Sequence, residues 1–109
     1  MEISRHQASM CAALADYHRV LLLYAMADEP QSVSQLARRV GLSQPAVSRH
    51  LRIMRENKVV WAERHGKFIY YVVTDERIVE AMDLLRSSLI DQMQHDDFAA
   101  FTAHQRPPV

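Results

Sequence analysis

The sequence predicts a mainly α-helical domain with one small β-hairpin, ordered as a winged helix-turn-helix, and three observations carry that expectation. The chain has only two glycines, Gly41 and Gly66. Gly41 separates two amphipathic runs, and Gly66 falls in Arg64-His65-Gly66-Lys67 between two strand-like runs. Residues that tolerate left-handed backbone thus stand where a short helix must stop before a tight turn and where a hairpin must reverse. The third observation is the stretch Gly41 to Leu51, Gly-Leu-Ser-Gln-Pro-Ala-Val-Ser-Arg-His-Leu, which reads as that turn and the first half of a polar-faced helix.

The elements follow in order. Ile3 to Leu14, with its alanines and Met10, reads as a first helix. Asp16 to Asp28 contains Val20, Leu21, Leu22 and Leu23 in succession, a pattern for a helix buried on most sides. Glu29-Pro30-Gln31 breaks it. Ser32 followed three residues later by Gln35 is a capping-box start, and Val33, Leu36, Ala37 and Val40 form one face of a short helix that Gly41 ends. Ser43 is the next N-cap, with Pro45 tolerated in the first turn, and the helix runs to about Asn57 while burying Val47, Leu51 and Met54.

Val59 to Arg64 and Phe68 to Val73 read as a hairpin joined through His65-Gly66. Thr74 is expected to cap a last helix whose first turn holds Asp75 and Glu76, with Ile78, Met82, Leu85, Leu89 and Met93 in one stripe. Leu84 and Ile90 beside the stripe suit a helix covered on more than one side. Residues 1–104 are read as one domain, with the helix-turn-helix at about 33–57, the wing at about 59–73, and a frayed tail at 105–109.

A chain of 109 residues is long enough to bury one core without staples. Its single cysteine, Cys11, excludes an intrachain disulfide and fits a reducing compartment. No apolar run approaches a membrane span and the N-terminus lacks a signal peptide's apolar region, so a cytoplasmic location is expected. Net charge is zero, but it is unevenly placed: Arg38 to Lys67 holds eight basic against two acidic residues, a local +6, and Asp75 to Asp97 holds seven acids against two arginines, a local −5. The middle of the chain is therefore the electrostatic footprint of a phosphate-binding surface.

In a winged helix-turn-helix the second helix of the pair lies in the major groove with its N-terminal residues nearest the base edges. Gln44 matches adenine, Arg49 matches guanine, and Ser48 contacts base or phosphate, so these three are read as sequence readers. His50 and Arg52 are read as backbone contacts, Arg64 and Lys67 as wing-tip contacts to flanking phosphate, and Ser43 and Ala46 complete the DNA-facing set. A winged-helix protein-interaction module is the alternative, and the basic arc argues against it. An enzyme finds no support, since the cysteine has no evident base partner and neither a Ser/His/Asp arrangement nor a phosphate loop is evident.

Four stretches, Ala12 to Leu21, Val33 to Ala37, Leu42 to Leu51 and Arg64 to Tyr71, resemble the ArsR/SmtB family of bacterial metal-responsive and related repressors, over roughly residues 8 to 91. The combination Ser-Arg-His-Leu with Gly-Lys-x-x-Tyr-Tyr is the specific part. The resemblance implies a homodimer built on the first and last helices, about 3–15 and 75–100, on a palindromic operator in double-stranded DNA, with repression relieved by an effector.

The commonest sensor sites of that family are altered here. Ser32-Val33-Ser34 stands where a Cys-x-Cys pair binds soft metals, and Asp75, Arg77, Ser88 and Asp91 stand where the last helix carries its Asp, His, His and Glu or His ligands. Fold resemblance does not carry those sites over. Asp91 and His95, spaced i, i+4, with His104 or His6 to complete a set, are read as a solvated polar face near a helix end before a divalent-metal site. Cys11 is read as buried packing before redox or metal ligation, and His18 as a local cap or packing substitution before a ligand. Tyr17, Tyr24, Met10 and Met26 are read as core before effector pocket. The sequence leaves the effector itself undetermined.

Overall fold

A computed structural model describes residues 2–95. Its elements are α1 (Ile3–Leu14), α2 (Tyr17–Ala25), α3 (Val33–Val40), α4 (Gln44–Glu56), β1 (Val60–His65), β2 (Phe68–Val73) and α5 (Glu76–Gln94). The chain divides into a unit that ends at Val79 and a second that begins at Glu80. The expected extension of the last helix beyond Gln94 to residue 100, His104 and the tail all lie outside the described residues.

Each boundary has a local cause. Asp16 stands just outside α2, its Oδ1 accepting the backbone N–H of His18 (2.9 Å) and Arg19 (3.2 Å). Ser32 and Gln35 form the expected capping box at α3, with Ser32 Oγ accepting the Gln35 N–H and Gln35 Oε1 accepting the Ser32 N–H. Gly41 ends α3 at φ 72°, and its N–H and that of Leu42 both donate to the Ala37 carbonyl. Ser43 caps α4 by accepting the Ala46 N–H at 3.2 Å.

The core of the first unit is made by one face from each of these helices. Leu22, Leu23, Met26, Leu36, Val47, Leu51 and Met54 are buried, joined by Val59 and Val60 where the chain leaves α4. Each such side chain contributes about 1.5–3 kcal/mol by leaving water. Val20 and Leu21 are only half-buried, so α2 is less enclosed than its run of aliphatic residues implies. Tyr17 is 73% exposed and Cys11 is exposed, which corrects their reading as packing residues, because both point off the faces that α1 and α2 bury.

The link from α4 to the wing differs from expectation in three places. Lys58 takes left-handed backbone at φ 64°, its N–H bonding the Arg55 carbonyl and the Val59 N–H bonding the Met54 carbonyl. This is a Schellman closure. It occupies Val59, so β1 begins one residue later than predicted and includes His65. His65 pairs with Phe68, which leaves Gly66 (φ 66°) and Lys67 as the two turn residues. Glycine at the first turn position is what a tight two-residue hairpin needs.

Thr74 does not cap α5: its hydroxyl donates toward the Lys58 and Val59 carbonyls, and Asp75 accepts the Arg77 N–H at 2.8 Å in its place. Gln31, read only as part of a break, pairs with Tyr71 through two backbone hydrogen bonds of 3.1 and 2.7 Å and is itself buried. The loop before α3 is thereby tied to the wing.

Within the second unit, α5 continues with Leu84, Leu85, Leu89, Ile90 and Met93 between 43% and 73% exposed. The helix holds no buried residue at all. Among the described residues, no helix is long and apolar enough to cross a membrane.

Candidate nucleic-acid interface

The turn from Gly41 to Ser43 joins α3 to α4, and α4 is sided sharply. Val47, Leu51 and Met54 are buried, whereas Gln44, Ser48, Arg49 and Arg52 are exposed. Gln44, Ser48 and Arg52 follow one another at four-residue spacing and so share a stripe, with Arg49 next to it. Pro45 in the first turn holds the N-terminal end of this face in helical geometry without losing a hydrogen bond. The buried face anchors the helix and leaves the polar face free for a ligand.

The remaining predicted residues divide by exposure. Ser43 is exposed but its hydroxyl is engaged in the cap, and Ala46 is half-buried. Arg64 and Lys67 are exposed at the wing tip, with Lys67 Nζ 5.9 Å from the Phe68 ring centre. Trp61, Phe68 and Ile69 are also exposed on the wing, so its surface is apolar as well as basic.

His50 occupies a different environment from the exposed arc. It is half-buried, with Nδ1 3.3 Å from Nη1 of Arg19. Arginine is only a donor, so Nδ1 is the acceptor in that contact. Arg19 also donates from Nε to the Ala13 carbonyl at 2.6 Å and lies 4.0 Å from the Asp16 carboxylate. One guanidinium therefore ties the end of α1 and the start of α2 to the middle of α4. Burial pushes the His50 imidazole below its ordinary pKa; Asp16 opposes this, and the charges of Arg19, His18 and Arg49 reinforce it. Burial would raise the Asp16 carboxyl, but the N–H groups it caps and the neighbouring Arg19 and His50 hold it below the usual range.

Asp16 and Arg19 were missed as parts of this site by sequence reasoning. Their partner lies 31 residues from Arg19, and no periodic pattern reports such a contact.

The altered sensor positions are occupied by local structure. Ser32 is held by the capping box and lies 3.3 Å from the Ser34 hydroxyl. Asp75 pairs with Arg77 at 2.8 Å, and Ser88 accepts from Gln92 at 3.1 Å. Asp91 on α5 and His95 just beyond it are both exposed.

Comparison with known proteins agrees with this geometry. Residues 16–60 match the model of the bacterial regulatory protein, arsR family. The chain is 33% identical over 97 residues to the transcriptional repressor SmtB homolog of Synechocystis sp., covering 89% of this chain and 70% of that protein. It is 40% identical over 65 residues to the transcriptional regulator KmtR of Mycobacterium tuberculosis, covering 60% of this chain but only 50% of that relative's length. In fold it is similar to a homodimeric winged helix-turn-helix DNA-binding domain from Mycobacterium bovis, with a TM-score of 0.79 at 21% identity over 96% of this chain and 91% of that one.

Proposed function

The chain belongs to the arsR family of bacterial regulatory proteins, and from that premise we propose that it is a sequence-specific transcriptional repressor that binds a palindromic operator as a homodimer and is released by an effector. The observation that carries this reading is the two-sided α4, whose exposed face collects Gln44, Ser48, Arg49 and Arg52 while its opposite face is locked into the core. Gln44 and Arg49 supply bidentate groups for base edges, and Arg52, Arg64 and Lys67 supply charge for phosphates. The family is one of regulatory proteins rather than enzymes.

The exposed apolar stripe of α5, with Ile3 59% exposed on α1, supports pairing of two copies through these helices. Two recognition helices then meet half-sites about 34–36 Å apart, one turn of DNA. A protein acting on chromosomal DNA works in the cytoplasm. Release requires an effector that favours a dimer geometry fitting the operator poorly.

The test is fluorescence anisotropy with duplexes tiling the chain's own promoter, in competition with random duplex. The expected result is one segment bound at least ~10³-fold more tightly than random DNA. Equal affinity for every duplex, or no binding at low salt, would instead favour a winged-helix module that contacts protein.

A further inference from the structure

Among the described residues, Asp16, His18 and His50 form a group able to hold a metal ion, with one donor atom from each lying within 4.8 Å of the others. All three are half-buried. We propose that they bind a divalent transition-metal ion of the zinc, cobalt and nickel class. The site uses none of the Ser32, Ser34, Asp75, Arg77, Ser88 or Asp91 positions, and its ligands come from the start of α2 and from the recognition helix α4.

The donor chemistry supports the assignment. Two imidazoles and one carboxylate form a ligand set for borderline ions, and three protein ligands leave a position open for water. Asp16 can serve without losing its cap, because Oδ1 accepts the two α2 N–H groups while Oδ2 lies 4.0 Å from the Arg19 guanidinium. The imidazole rings of His18 and His50 lie 5.8 Å apart between centres, at 37° to one another. Arg19 at 3.3 Å fixes a lone pair on His50 Nδ1, the form of the ring a metal requires.

Donors at about 2.0–2.2 Å from a shared ion lie at most about 4.4 Å apart, so small side-chain rotations close the set. An ion on Nδ1 displaces Arg19 Nη1, replacing one cation by another, while Arg19 Nε keeps the Ala13 carbonyl. No short sequence spacing announces this site, because its third ligand comes from another helix. If α4 reads DNA as proposed above, an ion on His50 acts directly on the reading helix, and metal occupancy and operator binding are linked. The metal site itself does not depend on that reading.

The experiment uses the untagged full chain, stripped with chelator and titrated with Co(II) in the absence of DNA. Expected is visible ligand-field absorption saturating at one ion per chain, with affinity reduced at least ~10-fold in His18→Gln, His50→Gln and Asp16→Asn. Asp16→Asn retains a side chain that caps a helix equally well, so its loss of affinity reports the carboxylate rather than unfolding. His18→Gln leaves the Arg19–His50 contact in place and is the second safeguard. Absence of a saturable cobalt band overturns the proposal, as does unchanged affinity in His18→Gln and His50→Gln. A band lost only in the Asp91→Asn/His95→Gln double variant overturns it too, by placing the ion on α5. None of these results bears on DNA binding, which is measured separately.

Discussion

Nη1 of Arg19 lies 3.3 Å from Nδ1 of His50, a contact that joins the first turn of α2 to the middle of the helix carrying the exposed basic arc. The Arg19 side chain is 14% exposed, so its hydrogen bonds are made largely out of water. A bond to a charged donor in such surroundings is worth about 1.5–3 kcal/mol. Arg19→Ala should therefore lower unfolding stability by that amount in urea, and Arg19→Lys should recover only part, since an ammonium cannot span His50 and the Ala13 carbonyl as a planar fork does. Full recovery by lysine would reduce the contact to a simple charge effect.

In the proposed complex, Arg49 reads a base and Lys67 positions the backbone. Arg49→Ala should cost about 1–3 kcal/mol on the operator and little on random DNA, because it removes a base contact. Lys67→Ala should weaken all duplexes alike and reduce the salt slope by about 1, because it removes one phosphate contact. Anisotropy titrations over a range of salt concentrations distinguish them. Unchanged discrimination in Arg49→Ala would take that residue out of the readout.

Two helix ends use left-handed backbone, one with the residue suited to it and one without. Gly41 at φ 72° has open space around the position of a Cβ, so Gly41→Ala introduces backbone strain and no clash, and a loss of about 1–2 kcal/mol is expected. Lys58 at φ 64° already bears that strain. Lys58→Gly should raise the urea midpoint by an amount equivalent to roughly 0.5–1 kcal/mol, less than the strain relieved because glycine gains freedom in the unfolded chain. Destabilisation by Lys58→Gly would mean that the lysine side chain stabilises the α4 to β1 link.

These two ends also show what was legible in the sequence. Gly41, the Ser32/Gln35 box and the Val47, Leu51, Met54 spacing are local signals, and α3, the turn and α4 appear where those signals place them. The exposed arc of Gln44, Ser48, Arg49 and Arg52 follows from the same helical period. Lys58 gave no warning, because its left-handed backbone is imposed by the Schellman bonds around it. Thr74 and Asp75 are both good caps in sequence, and only the fold, by placing the Thr74 hydroxyl against the Lys58 and Val59 carbonyls, decides between them. The Gln31–Tyr71 bridge and the Asp16, His18, His50 cluster join residues far apart in the chain and have no periodicity to betray them.

Asp75 provides a pH dependence of known sign. Its side-chain hydrogen bond with Arg77 is the main cause, and the Arg77 N–H the next, of a carboxyl pKa lowered from 3.8 to about 2. A folded-state pKa below the unfolded one stabilises the fold above the unfolded value and loses that contribution as pH falls through the folded value. The difference in urea midpoint between the wild type and Asp75→Asn should be constant above about pH 5 and vanish toward pH 2, since asparagine keeps the cap but carries no proton-linked charge. A difference that stays constant down to pH 2 would show that the pair with Arg77 does not form in solution.

The last helix leaves Leu85 66% and Leu89 53% exposed, four residues apart on one stripe. In a homodimer these leucines leave water on assembly, each contributing about 1.5–3 kcal/mol. A charge there would be buried without a partner in the dimer but remain solvated in the monomer. Leu89→Glu should accordingly shift sedimentation to the monomer at micromolar concentration without loss of helical signal. Operator affinity should fall with it, because a single recognition helix engages only one half-site. A Leu89→Glu protein that stays dimeric would move the interface off this stripe, and the exposed leucines would then need another partner.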